Sequence, residues 1–155
     1  MDDSTRSDAI YRFRNGSNCA QAVLSAYFLV LGYDESLAHR MGAGLGGGIG
    51  RKQYICGAVN AGAIVLSLVH GNQDRANTVQ KETATAIVRE FIEEFENEFH
   101  TSQCRELVGL DTSTPEGRQQ AAAAGISESV CVPCITRVCE LVDKKVSIRS
   151  NGSIM

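Results

Sequence analysis

The chain has 155 residues, six of them cysteine, with a formal net charge of −3, no Trp and 15 glycines. A chain of this length is most simply one domain that buries its own core without covalent staples. The slight negative charge, the lack of any Lys/Arg cluster longer than two residues and the scarcity of aromatics exclude a basic, base-stacking surface, so no nucleic-acid partner is expected.

Helical periodicity runs through the chain, and no alternating pattern marks a strand. Residues 3–14 set Ala9, Ile10 and Phe13 on one side and stop at Asn15-Gly16. Asn18, an N-cap residue with Gln21 as its capping-box partner, opens a helix over 19–31 that Gly32 ends. Asp34 caps a shorter helix over 35–41. The glycine stretch 42–50 follows, then an apolar helix over 55–69, hydrophobic nearly all round and therefore central. Residues 75–99 form the longest segment, with an apolar stripe of Val79, Ile87, Val88, Phe91, Ile92, Phe95 and Phe99. Its other side, with Glu90, Glu93, Glu94, Glu96 and Glu98, reads as a solvated face; no His follows a Glu at Glu-x-x-His spacing. Helices are predicted over 103–108, from Pro115 to residue 124, and over 132–146, with the polar residues 147–155 as a loose, flexible tail. The fold class read from this pattern is an all-α, single-domain helical bundle, residues 1–146, with a Gly-rich connection.

Two uncharged stretches, 15–33 and 53–73, have apolar cores shorter than the ~20 residues a bilayer span needs, so no membrane span is predicted. Met1-Asp2-Asp3 has the wrong sign for an export signal. The expected compartment is the cytoplasm, where a cysteine surplus more often means metal or redox chemistry than structural disulfides.

Five of the six cysteines fall where a helix is predicted to start. Cys19 follows Asn18, Cys56 follows the glycine stretch, and Cys104 comes two residues after Ser102. Cys131 and Cys134 flank Pro133, a residue suited to a first turn. The partial positive charge and free N–H groups of a helix N-terminus favour thiolate, the form that attacks disulfides and binds metals. The repeated placement predicts that these sulfurs converge. Cys131-Val132-Pro133-Cys134 is a C-x-x-C pair, either a redox dithiol or half of a thiolate metal site. Ile135 in place of His argues against c-type haem attachment. Cys139, at i+5 from Cys134 and about 140° round the helix axis, reads as a packed core thiol. His39, His70 and His100 lack partners at ligand spacing. Gly42 to Gly47 fits G-x-G-x-x-G by letter but follows a helix, not a strand. It reads as a close-packing connection, with Gly47 and Gly48 the cofactor-binding residues whose N–H groups would reach sulfur or an anion.

The segments Asn18-Cys19-Ala20-Gln21-Ala22-Val23-Leu24, Gly46-Gly47-Gly48-Ile49-Gly50, Cys56-Gly57-Ala58-Val59 and Cys104-Arg105-Glu106-Leu107-Val108-Gly109 occur in this order. Together they resemble the C-GCAxxG-C-C family of redox-active proteins, over about residues 18–142. The resemblance implies a redox or thiolate-metal role and four signature cysteines: Cys19, Cys56, Cys104 and Cys134, with Cys131 the alternative for the fourth. One departure stands out, because the motif's final glycine is Ala61 here and Gly62 comes one residue late.

The leading expectation is thiolates converging on an iron–sulfur cluster of the 2Fe–2S type, or on zinc, for electron transfer or redox sensing. An electron-transfer partner is implied, and the site closes either within one chain or across a homodimer. The alternatives are a thiol–disulfide oxidoreductase using Cys131 and Cys134 as its catalytic dithiol, and a structural zinc-binding helical module.

Overall fold

Three apolar helices form the middle of the molecule. In a computed structural model that describes residues 3–151, they are α2 (Cys19–Val30), α4 (Gly57–His70) and α8 (Val132–Asn151). Their facing sides bury Val23, Leu24 and Tyr27, then Val59, Val65 and Leu66, then Ile135, Val138 and Val142. Each such side chain contributes about 1.5–3 kcal/mol when taken fully from water. The other elements pack round this core: α1 (Asp3–Arg14) on α2 and α8, α3 (Glu35–Gly42) on α2, and α5 (Thr78–Phe99) on α4 and α8. Two short helices, α6 (Cys104–Val108) and α7 (Pro115–Ala123), lie between α5 and α8 in the chain. The only β feature among the described residues is one isolated antiparallel bridge, between Ile55 and Gln103. The molecule is all-α, and no single described helix is long and apolar enough to cross a membrane.

Local chemistry explains where the helices begin. The Asn18–Gln21 capping box is formed in both directions at the start of α2. The central helix α4 starts at Gly57, two residues later than its apolar pattern predicts. Residues 53–56 are held away from helix by backbone bonds to a distant segment: Cys56 N donates to Ser102 O (2.8 Å), Cys104 N to Tyr54 O (2.7 Å) and Arg105 N to Gln53 O (3.1 Å). Helix α5 likewise starts late, at Thr78, because Asn77 serves as N-cap and accepts from Gln80 N.

Four expectations need correction. The last helix is entered through a π-helical turn over Ser127–Cys131, so Cys131 and Cys134 are not in a free first turn; the Val132 N–H already donates to Ser127 O. Pro133 lacks an N–H, and the wider upstream turn lets the helical path pass through it. The glutamates of α5 are not merely solvated, since Glu90 and Glu94 meet Lys145, Glu94 also meets Lys144, and Glu98 meets Arg137, all on α8. Val79, placed in the apolar stripe, is 77 % exposed. Helix α8 continues to Asn151, past residue 146, and residues 152–155 of the expected tail lie outside the described residues.

Candidate functional site: a five-cysteine cavity

Five cysteines from four separate segments line one cavity of about 330 Å³: Cys19, Cys56, Cys104, Cys131 and Cys134. All six cysteines are free thiols. Cys19 is the first residue of α2, Cys56 is the N-cap of α4, and Cys104 is the first residue of α6. The backbone bonds between 53–56 and 102–105 set Cys56 and Cys104 side by side across nearly fifty residues of chain. Cys139 is elsewhere, fully buried on α8, where the Tyr27 hydroxyl donates to its carbonyl (3.0 Å). It is the core thiol its spacing predicts.

The glycine stretch supplies one wall. Gly47, Gly48, Ile49, Gly50 and Arg51 all have φ between +58° and +72°, a continuous left-handed turn. It is closed by Gly50 N to Gly44 O (2.8 Å), Gln53 N to Gly47 O (3.0 Å) and Tyr54 N to Gly48 O (2.9 Å). For the two side-chain-bearing residues, Ile49 and Arg51, this conformation costs roughly 1–2 kcal/mol each. The turn aims the Gly47 N–H at the Cys19 sulfur. Gly48 does not line the cavity; a Cβ there would stand 2.9 Å from Cys104 Cβ, so it serves close approach. Gly57 has a similar role, since a Cβ on it would stand 2.5 Å from Cys19 Sγ.

Electrostatics divide the thiols sharply. The Cys56 thiol is drawn down to about 7, first by a hydrogen bond from Cys134 and then, against the opposing effect of burial, by the N–H groups of Val59 and Ala58 at the start of α4. The others go the other way. Burial and then the neighbouring Cys56 charge push Cys19 up to about 12, despite the Gly47 N–H. The same two causes push Cys104 up to about 11 and Cys131 up to about 12. Cys134 is raised because it donates to Cys56. The rule that a first turn favours thiolate therefore holds for Cys56 alone; at Cys19 and Cys104 desolvation wins.

Sequence reasoning missed Gln53. Its side chain is 2 % exposed, donates to Leu110 O (2.7 Å) and hydrogen-bonds the Cys104 sulfur. A polar residue among loop residues carries no sequence signal for such a role, because its partners are chosen by the pairing of 53–56 with 102–105.

This order of cysteine segments, now joined in space, is also what a family model recognises. The model described as "Putative redox-active protein (C_GCAxxG_C_C)" matches residues 17–145. The chain belongs to this family. The matched span includes every cavity cysteine and the whole glycine turn. No curated protein and no solved structure matches the chain. In this member the cavity's sulfurs come from α2, the start of α4, α6 and the entry to α8. Among the described residues, no group of three or more His, Cys, Asp or Glu side chains is placed to hold a metal ion as the side chains stand.

Proposed function

We propose that the cavity holds an iron–sulfur cluster on four of its five cysteines and that the protein carries single electrons. The observation that carries this reading is the convergence of five thiols on one mostly apolar cavity with no His or carboxylate in its lining. Zinc held on four sulfurs requires all of them about 2.3 Å from one point. Thiols spread round a cavity suit the separated metals of a cluster better. The donor set fits such a group in its second layer as well: the Gly47 N–H donates to Cys19 and the Gln53 amide to Cys104, the kind of bond to ligand sulfur that tunes a cluster's potential. When bound, the cluster would supply a one-electron couple. Cys56, Cys19 and Cys104 would hold it with Cys134, and Cys131 is the alternative fourth ligand.

Purification without oxygen, or reconstitution with iron and sulfide, tests the reading directly. Iron and acid-labile sulfide in stoichiometric amounts, a brown visible spectrum and their loss in Cys56→Ser are expected. A colourless, iron-free protein after reconstitution would sink it.

One observation favours a second reading. Cys134 donates to a Cys56 thiolate, which is the arrangement of an attacking thiol beside a partner able to close a disulfide. A dithiol function would then use Cys56 and Cys134 in place of the C-x-x-C pair. It predicts reversible formation of one disulfide in metal-free protein, lost in either Cys→Ser variant.

A further inference from the structure

We infer that Arg51 and Arg118 are the counter-charges of the cysteine cavity and favour the state of its occupant that carries one more electron. The inference rests on the iron–sulfur reading for that electron, whereas the charge imbalance belongs to the wall itself. In a protein of net charge −3, the cavity lining contains two arginines and no Asp or Glu. Arg6, Arg12, Arg14 and Arg137 each meet a carboxylate within 4 Å. Arg51 and Arg118 form no such pair among the described residues; Arg118 Nη1 instead donates to Thr112 O (3.0 Å), which fixes the guanidinium at the wall. Arg51 sits at the end of the left-handed turn, with its Cγ 2.8 Å from where a Cβ on Gly47 would be. Its strained backbone places it beside the residue whose N–H reaches Cys19.

A guanidinium stays protonated at all working pH values, so its charge is constant. One electron passing from a low-potential one-electron donor to the cavity's occupant adds one negative charge there, with no bond broken and no proton moved. Fixed cations stabilise that added charge, more so where water is partly excluded. Arg118 is half-buried and Arg51 exposed, so Arg118 is expected to have the larger effect.

The test is a dithionite redox titration of the reconstituted protein beside Arg118→Gln, Arg51→Gln, the double variant and Arg118→Lys. Expected is a reduction equilibrium about tenfold less favourable in Arg118→Gln, a potential lower by ~59 mV for one electron. A smaller shift is expected in Arg51→Gln and most of the wild-type value in Arg118→Lys, with iron and sulfide content unchanged. Loaded variants with the wild-type potential overturn the inference. If the wild-type chain takes up no cluster, the functional reading has failed and the counter-charge inference is decided on metal-free protein. Its readout there is the rate of alkylation by anionic iodoacetate relative to neutral iodoacetamide. A cationic wall raises that ratio, so the ratio should fall severalfold in the double variant and with added salt; an unchanged ratio overturns it. The same alkylation arm decides the matter if Arg118→Gln fails to load.

Discussion

At the scale of single residues, Cys56 is set apart by a contest between burial and hydrogen bonding. Its neighbours lose that contest and remain thiols. In reduced, metal-free protein one cysteine should therefore react with iodoacetamide with a midpoint near pH 7, reflecting a thiol drawn down to about 7. Cys19, Cys104 and Cys131 should stay slow below about 11. Peptide mapping of the modified protein checks the assignment. Cys134→Ala should move the midpoint up towards the ordinary thiol value, because it removes the largest stabilising bond while leaving the α4 N–H groups. Gly57 poses a second contest. Helix propensity alone makes Ala better than Gly by about 1 kcal/mol. A Cβ at this position, however, would meet Cys19 Sγ at 2.5 Å and the Leu45 carbonyl oxygen at 2.9 Å, and the second is backbone. Gly57→Ala should thus destabilise the protein by about 1–3 kcal/mol in urea unfolding; a gain in stability would show that the wall yields easily. The late glycine of the motif follows the same logic. At Gly62 a Cβ would stand 2.6 Å from Phe91 Cζ, whereas Ala61 is already buried with its methyl accommodated, so the close contact between helices has moved by one residue.

At the scale of elements, α5 is tied to α8 by charge as well as by Phe91 and Phe95. Lys145 is 2 % exposed and its Nζ lies 2.8 Å from Glu94 and 3.5 Å from Glu90. The Lys145 ammonium, as hydrogen-bond donor, holds the Glu94 carboxyl below the usual range. A depressed carboxyl contributes stability that is fully present above its unfolded value, near 4.5, and is lost as pH falls through the lower folded value. Urea midpoints should accordingly drop on acidification below about pH 4.5, and Glu94→Gln should flatten that limb. The same change should cost about 1–3 kcal/mol at neutral pH, since a buried ammonium loses its nearest partner, with Glu90 limiting the loss. An unaltered acid limb in Glu94→Gln would show that other carboxylates govern it. This seam shows what periodicity reveals and what it hides. The spacing of Phe91 and Phe95 marks the buried side of α5, because burial repeats every 3.6 residues. Whether Glu94 faces water or Lys145 depends on how α8 is laid against it, and no period in either helix encodes that. The π turn before Val132 is hidden for a related reason, because Pro133 in a first turn and Pro133 after a wide turn look alike in sequence.

At the scale of the whole molecule, the cavity joins a well-packed core to a thin wall. Cys19, Cys56 and Cys134 stand on α2, α4 and α8, whose buried faces interlock. Cys104 stands on α6, five residues long with no buried residue, and Cys131 on the π turn, which has none either. The sequence announces the cysteines through their caps and order, yet the placement of Cys104 beside Cys56 depends on backbone bonds between segments far apart in the chain, which local pattern cannot show. A bound cluster would add covalent ties between the thin wall and the core, and binding to the folded state alone stabilises it by mass action. The added protection should be uneven, because segments with few buried contacts open locally at low free energy while core helices open only with the whole fold. Hydrogen exchange on loaded and metal-free protein should therefore differ most over residues 102–131, with α6 and the π turn exchanging at least tenfold faster once the metal is removed. The amides of α4 around Val65 and Leu66 should stay protected in both forms. The Gln53→Ala variant sharpens the test: it should speed exchange at Cys104 in metal-free protein by removing the Leu110 tie, and less so in loaded protein, where Cys104 would be held through its sulfur. A uniform change across the molecule would mean that the cluster stabilises the fold globally. An absence of change at α6 would remove Cys104 from the ligand set and leave Cys131 to take its place.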